Sequence, residues 1–592
     1  MADHFFLSQK EKYTGEVKRL SGRNNWLSAT RVILFIVTLV LFIYFTNERA
    51  ISAMIISAVT GLTVFLALIS FQHKIKYRLL IFQYLLKINE EEINRAAFNF
   101  TELDTGERFL TQQHPYAYDL DIFGRHSLFT LVNRSGTEGG KQLTANWLLE
   151  TSTASEIASR QQAVKELANQ NEWCQELQAY GRLTKNHSPK DLLEWIALEE
   201  HPTLPATVLA VLRLFLPVIT LLAIGAYFLL DVASYVPLLA IVLNGVVLYR
   251  ISAPVAEIYT RTRKASSVLQ GYLAMFKHIT NGNFSSARLN TLKEKLAHDN
   301  HRAIRATQLL TRIVERLDTR GNLFYHILNI IFLLDAWHYL SALTWKKNNQ
   351  GEIADWLAVV EEFEALVSLA GFSFQHSDYV FPEITSAPYK FEANNMGHCL
   401  ISKDIRVLNT FTMKGKGEIG LITGSNMSGK STFLRTVGTN AVLALCGAPV
   451  CASSMVISPL QVFTSMRTQD SLEENISSFY AELKRLRAML DTIEEKGRVL
   501  FLVDEVLKGT NSVDRNNGAI ALIRKLTARE AMGLISTHDV ALGELGTELS
   551  QVKNYSFNSM IEGDEIRFNY RLSDGICKSF NASKLMENMG IT

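Results

Sequence analysis

The chain has 592 residues, of which 20% are charged and 47% apolar, with a formal net charge of +2 and a mean hydropathy of +0.07. That balance is oily for a soluble enzyme and too polar for a pure transporter, and it suits a globular part joined to a few membrane helices. The near-zero net charge neither favours nor excludes nucleic acid, since local patches decide that, while five scattered cysteines without a Cys-x-x-Cys pair read as free core thiols and argue against zinc.

The first apolar run spans Val32 to Phe45 and the second Ala50 to Phe71. The second has the ~20 residues needed to cross a hydrocarbon core, and the first reaches that length with its flank from Trp26. Lys10, Lys12, Lys18, Arg19 and Arg23 precede the pair, and Lys74, Lys76 and Arg78 follow it. Positive residues on both outer flanks predict a transmembrane hairpin with both ends in the cytoplasm. A second pair, Leu214 to Leu230 and Val232 to Tyr249, lies between Arg213 and the cluster Arg250, Arg261, Arg263 and Lys264. Its Pro217 and Pro237 are better tolerated in membrane helices than in soluble ones. It reads as a second hairpin, transmembrane or re-entrant. A fifth oily stretch, Leu323 to Trp345, contains His326, Asn329, Asp335 and His338. Ionisable groups are costly at mid-bilayer, so a buried helix of the globular part is expected there.

Further on, Gly424-Ser-Asn-Met-Ser-Gly-Lys430-Ser431 matches G-x-x-x-x-G-K-[ST]. Such a loop turns backbone N–H groups around phosphate oxygens, Lys430 reaches the β and γ phosphates, and the Ser431 hydroxyl ligates Mg²⁺. "EIGLIT" before it reads as a buried strand and "STFLRTVGTNAVLALCG" after it as a helix. "RVLFLVDE" reads as a second strand, ending in Asp504 for the Mg²⁺ shell and Glu505 for the attacking water. "GLISTH" reads as a third, ending in His538 near the γ-phosphate. Three such strand ends describe a doubly wound α/β sheet with its ligand at the carboxyl edge. The Asp-Glu pair with a downstream His points to ABC-like P-loop ATPases.

With these residues in hand, the chain resembles the MutS family of mismatch-repair ATPases. "TGSNMSGKST" is similar to the family's T-G-P-N-M-x-G-K-S-T, with Ser425 at the proline position. "DEVLKGTNSVDR" is similar to D-E-x-x-x-G-T-S-x-x-D, "STHDVAL" to the A-T-H segment, and "ENISSFYAEL" to R-S-T-F-x-x-E-M. "FNYRLSDGICKSFNASKLMENMGI" resembles the closing strand and helix. Upstream, Gly124 to Glu150 resembles the start of the family's lever domain, and "DWLAVVEEFEALVSLAGFSF" its return helix.

The resemblance implies an ATP site built from Gly424, Ser425, Asn426, Met427, Ser428, Gly429, Lys430, Ser431 and Thr432, with Asp514 beside it. It implies that Ser477 reaches the γ-phosphate of a second subunit in a homodimer with composite ATP sites. Lys430, Glu505 and His538 are then the catalytic residues, with Mg²⁺ on Ser431 and Asp504.

The expected organisation is a cytoplasmic segment and first hairpin over 1–90 (hairpin about 26–71), then a linker and first lever half over 91–205. The second hairpin, 206–252, stands where the family's DNA clamp is inserted. The second half of the all-α lever (253–388) leads to the ATPase domain (389–592). No stretch is long enough for a mismatch-reading domain, Phe100-Thr101-Glu102 reads as a chance match to its wedge, and the family's final dimerising helices are not expected after Thr592.

Arg302, Arg305, Arg312, Arg316 and Arg320 fall along one side of a lever helix, where they would face double-stranded DNA or solvent. Two readings therefore stand. One is a cell-membrane, multi-pass ATPase that binds DNA in an ATP-dependent manner from the cytoplasm. The other is a membrane mechanoenzyme or scaffold that has lost DNA. Glu505 argues against a nucleotide kinase.

Overall fold

The computed structural model of the chain describes residues 2–111, 113–185, 187–199, 204–262, 265–467, 478–562 and 565–577. Ser477, Arg263, Lys264 and the segment expected to form the closing helix lie outside them.

Two proline-free helices of 46 residues, α1 (Ala2–Asn47) and α2 (Ile51–Ala96), form an antiparallel pair. At 1.5 Å per residue each is about 69 Å long, more than twice the thickness of a hydrocarbon core. The turn-proximal halves carry the apolar runs, and their side chains, among them Ile33, Phe35, Ile56 and Leu62, stay more than half exposed. Gly61 lets the helices approach, because a Cβ there would collide with Thr38. A polar layer closes this stretch: Gln72 Nε2 donates to Ser28 Oγ (2.7 Å) and Asn24 Oδ1 (3.1 Å), and Arg31 Nη1 donates to Gln72 Oε1 (2.5 Å).

The other halves are built into an all-helical body. Its first helices are α3 (Leu128–Val132), α4 (Glu138–Leu149), α5 (Ala154–Ala168), α6 (Asn171–Gly181) and α7 (Lys190–Ala197). Ser127, Thr137 and Thr153 cap α3, α4 and α5, each side chain accepting an otherwise unmatched backbone N–H. The hairpin α8 (Ala206–Leu230) and α9 (Tyr235–Thr262) interrupts the body, and α9 runs beyond the expected end at residue 252. Asp231, at φ +50°, ends α8. The body resumes with α10 (Ala265–Asn281), α11 (Ala287–Asp318), α12 (Leu323–Phe332), α13 (Leu334–Asn349) and α14 (Ile353–Gln375).

Buried charge ties the first hairpin to this body. Arg134, with a side chain only 1% exposed, pairs with Glu92 of α2 at 2.8 Å, and Arg95 pairs with the same carboxylate at 2.9 Å. Burial pulls Arg134 down to about 10 despite Glu92. Removing either partner would strand a charge in the core, the costly way to break such a pair. Next to it, the fully buried Glu364 of α14 accepts from the N–H of Gly136 (2.8 Å) and Thr137 (3.1 Å) and from the Thr137 hydroxyl. Burial pushes its pKa up to about 7.

One sequence expectation needs correction here. Leu323 to Trp345 is not one buried helix: it breaks at Leu333 (φ +51°) into α12 and α13, bent by 82°. The polar residues that argued against a membrane position instead build the bend. Asp335 accepts from Tyr325 Oη (2.7 Å) and Asn329 Nδ2 (3.0 Å) and pairs with Arg320 (3.2 Å). This leaves Leu323, Phe324 and Ile327 exposed on α12, which rests on α8 and α9 while Asn244 donates to Ile330 O at 2.8 Å. The arginine stripe, read as a face toward DNA or solvent, is partly paired with carboxylates. Arg302 pairs with Glu352 (2.6 Å) and Arg320 with Asp335, so part of the stripe holds α11 to its neighbours.

Beyond α14 lie two sheets. The smaller comprises β1 (Glu383–Ile384), β2 (Lys390–Met396), β3 (Asn409–Lys414) and β5 (Ser454–Ile457), in the order β1-β5-β2-β3. The larger comprises β4 (Ile419–Gly424), β6 (Gln461–Ser465), β7 (Val499–Asp504), β8 (Met532–Thr537), β9 (Val552–Glu562) and β10 (Glu565–Asp574), in the order β10-β9-β4-β8-β7-β6. All its neighbours pair in parallel except β9 and β10.

The central strands are buried on both faces, which is why they read as unbroken apolar runs. Leu500 and Leu502 join the core shared with α15 (Lys430–Cys446) and the helical body, whereas Val499, Phe501 and Val503 join a second core with α16 (Ser478–Lys496) and α17 (Ser512–Ala528). The C-terminal region is thus mixed α/β and the N-terminal part all-helical. All five cysteines are buried and free.

Candidate functional site

Strands β4, β8 and β7 are consecutive and parallel, so their carboxyl ends meet at one edge of the sheet. The loop Gly424–Gly429 leaves β4 and enters α15, with Met427 at φ +65° and Gly429 at φ +104°. Two glycines have steric reasons. A Cβ on Gly424 would sit 2.8 Å from Phe557 O, and a side chain at Gly429 would be strained by its φ and press on Tyr570. Gly429 caps α15 without a side-chain acceptor, and the first turn carries no acidic residue. The N-terminal N–H groups and the positive end of the helix dipole are therefore left for an anion.

Lys430 is buried, and its Nζ donates to the carbonyls of Gly424 and Ser425, each at 2.9 Å. Burial pulls its pKa below the ordinary lysine value, opposed by the charges of Glu505 and Asp504. His538, just after β8, lies between loop and carboxylate. Its Nδ1 is 3.0 Å from Gly424 O and 3.5 Å from Lys430 Nζ, and its Nε2 is 2.5 Å from Glu505 Oε1. That hydrogen bond, with Lys508 at 3.3 Å, holds the Glu505 pKa down at about 2. Asp504, one residue earlier, accepts from the Ser536 hydroxyl.

Glu505 adopts φ +52° and Leu507 φ +59°, a conformation disfavoured for residues with a Cβ. Neighbours fix it. Glu505 N donates to Ser536 O (3.1 Å), and the Glu482 carboxylate of α16 accepts from the N–H of Leu507 (2.5 Å) and Lys508 (3.1 Å). Glu482 sits inside the quoted "ENISSFYAEL", but no role was legible for it until α16 was seen to cross this turn.

A cavity of about 450 Å³ opens on the loop, lined by Asn426 to Thr432 and Glu505 and by His398, Ile405, Arg406 and Tyr570. His398, Ile405 and Arg406 come from outside the recognised motifs, and Tyr570 from the closing strand. Ser428 Oγ is buried there without a hydrogen-bond partner. Bare helix N–H groups, an ammonium and an orphaned hydroxyl fit a polyphosphate. Ser431 lines the cavity and Asp504 ends strand β7, outside the lining; both offer only oxygen donors, the chemistry that fits Mg²⁺ shared with phosphate and water. Gly424 and Ser425 contribute their carbonyls to Lys430 rather than lining the cavity. Asp514 is not brought to it: it lies in the first turn of α17, where Asn511 donates to it at 2.7 Å.

Residues 420–588 match the family model of MutS domain V. The DNA mismatch repair protein MutS of Thermotoga neapolitana is 30% identical over 232 residues, 38% of this chain and 29% of that protein. Endonuclease MutS2 of Fusobacterium nucleatum is 33% identical over 204 residues (33% of this chain, 25% of that protein). MutS protein homolog 4 of Mus musculus is 32% identical over 221 residues (35% and 23%). The chain spans less than a third of the length of these curated relatives, so the likeness is to their MutS-type domain.

Proposed function

We propose that the chain is a membrane-anchored ATPase of MutS type. The ladder Lys430–His538–Glu505 carries the reading, because it joins a phosphate-binding loop to an ionised carboxylate at one sheet edge. Lys430 and the α15 N-terminus hold the phosphates, and Glu505 orients and deprotonates the attacking water. His538 keeps Glu505 facing the loop. Bound Mg²⁺, held through Ser431 and Asp504, would neutralise charge on the transferred phosphoryl group. Homodimers form when ATP draws two such domains together, each supplying Ser477 to the other.

Anchoring is supported by four helices long and apolar enough to cross a bilayer, α1, α2, α8 and α9, whose apolar windows are only 6–28% buried. The ATPase then faces the cytoplasm, and the second hairpin sits where a lever would grip its cargo. A DNA-binding version of this reading is favoured by the names of the relatives and by Arg312, which is exposed on α11.

ATP turnover by the full chain in lipid nanodiscs, without DNA and with matched or mismatched duplex at two salt concentrations, separates these. The membrane-motor reading expects one rate in all three. Stimulation by duplex that fades with salt would establish the DNA-binding version. Absence of turnover under every condition would refute the ATPase.

A further inference from the structure

At the foot of the second hairpin is a cavity of about 560 Å³, remote in sequence from the nucleotide loop. It is lined by Arg213, Leu214 and Pro217 of α8, Arg316 of α11, Phe332 of α12, and Leu334, Trp337 and His338 of α13. Most of this lining is hydrocarbon, and the helices that form it carry further exposed apolar side chains, among them Val211 and Phe215 on α8 and Phe324 and Ile327 on α12.

Two cations interrupt that surface. The Arg213 guanidinium stacks on the Trp337 indole, 4.1 Å from the ring centre, and its Nε is buried with no hydrogen-bond partner. Stacking fixes the plane of the guanidinium and leaves its N–H edge to donate. Arg316 is exposed and, like Arg213, makes no ion pair among the described residues. The one carboxylate of α12 and α13, Asp335, is already bonded to Arg320, Tyr325 and Asn329, and Glu315, next to Arg316, accepts from Gln270 at 2.9 Å. Two arginines without carboxylates, above an apolar floor, complement a molecule with an anionic head and alkyl tails.

We propose that this cavity binds one anionic phospholipid, its phosphate on Arg213 and Arg316 and its acyl chains along Leu214, Pro217, Phe332 and Leu334. The inference rests on the second hairpin lying in the bilayer. Zwitterionic lipids are disfavoured because the cavity has no free carboxylate for their ammonium group. It also gives the lever a defined end. Arg316 closes α11, so a bound headgroup fixes that helix against the hairpin.

The test is native mass spectrometry of the full chain in detergent, with phosphatidylglycerol and phosphatidylcholine of the same acyl chains supplied in equal amounts. The wild type is expected to retain one phosphatidylglycerol preferentially. Arg213→Gln and Arg316→Gln should each weaken retention about fivefold, while Arg312→Gln, one turn away on α11, should not. Equal retention of the two lipids, or equal loss in all three variants, would overturn the site. So would displacement of the lipid by inorganic phosphate that binds equally well alone. Flotation of each variant with liposomes is the control. A chain that fails to float with any lipid refutes the membrane reading itself, whereas one that floats but retains the two lipids equally in the mass spectrum refutes only this proposal.

Discussion

Glu505 combines two properties that a general base needs: a backbone twist that points it away from β7, and an environment that keeps it charged. Its hydrogen bond to His538 holds the pKa at about 2, so the carboxylate stays ionised throughout the physiological range. Because the folded pKa is depressed, its contribution to stability is present above the ordinary carboxylate range and is lost only as pH falls toward about 2. Turnover measured from pH 5 to 8 should therefore show no acid limb from this group. Glu505→Gln should still bind ATP in a filter or fluorescence assay while turnover falls by about 10²–10⁴-fold. Lys430→Ala should instead lose tight binding. Wild-type turnover in Glu505→Gln would remove the carboxylate from the mechanism.

Among the elements, α14 has the most to connect, since it packs on α4 and α5 and leads into the sheets. Its Glu364 has a raised folded pKa, so the folded state holds a proton that the unfolded chain releases between the ordinary glutamate value and about 7. Stability from this group is greatest at acid pH and declines as pH rises through that window. Glu364→Gln stays neutral and keeps one oxygen to accept from Gly136 and Thr137. The fall in melting temperature between pH 5 and 8 should be shallower in this variant, as measured by scanning fluorimetry at fixed ionic strength. An unchanged pH slope would place the titration elsewhere.

Elements also differ in how readable they were. β4, β7 and β8 were legible because burial on both faces demands apolar runs, and their polar ends mark the sheet edge. The small sheet was not, because β1 and β5 are too short to show a period and pair across some 70 residues of sequence. The break between α12 and α13 depends on a left-handed backbone at Leu333, which composition does not encode. The asparagine and aspartate that stabilise it looked in sequence like a reason to bury the whole segment. The nucleotide cavity divides in the same way. Its loop follows from spacing, but Ile405, Arg406 and Tyr570 meet it only through tertiary folding.

At the scale of the whole molecule, a domain that matches MutS domain V over residues 420–588 and two oily hairpins share one helical body, joined by apolar packing (Tyr13, Ile81, Leu85 and Ile88 against Ala179 and Leu183) as well as by specific polar contacts. Glu92, Arg95 and Arg134 lock the first hairpin to the helical body, while Asn244, Arg320 and Asp335 organise the foot of the second. Membrane anchoring and ATP turnover should reside in the same chain. The deciding measurement is Mg²⁺-dependent ATP turnover in carbonate-washed membranes from cells expressing the full chain or its Glu505→Gln variant. The account predicts that both chains remain in the membrane pellet and that only the wild type hydrolyses ATP. Recovery of the wild-type chain in the carbonate supernatant, or equal turnover in the two pellets, would contradict it.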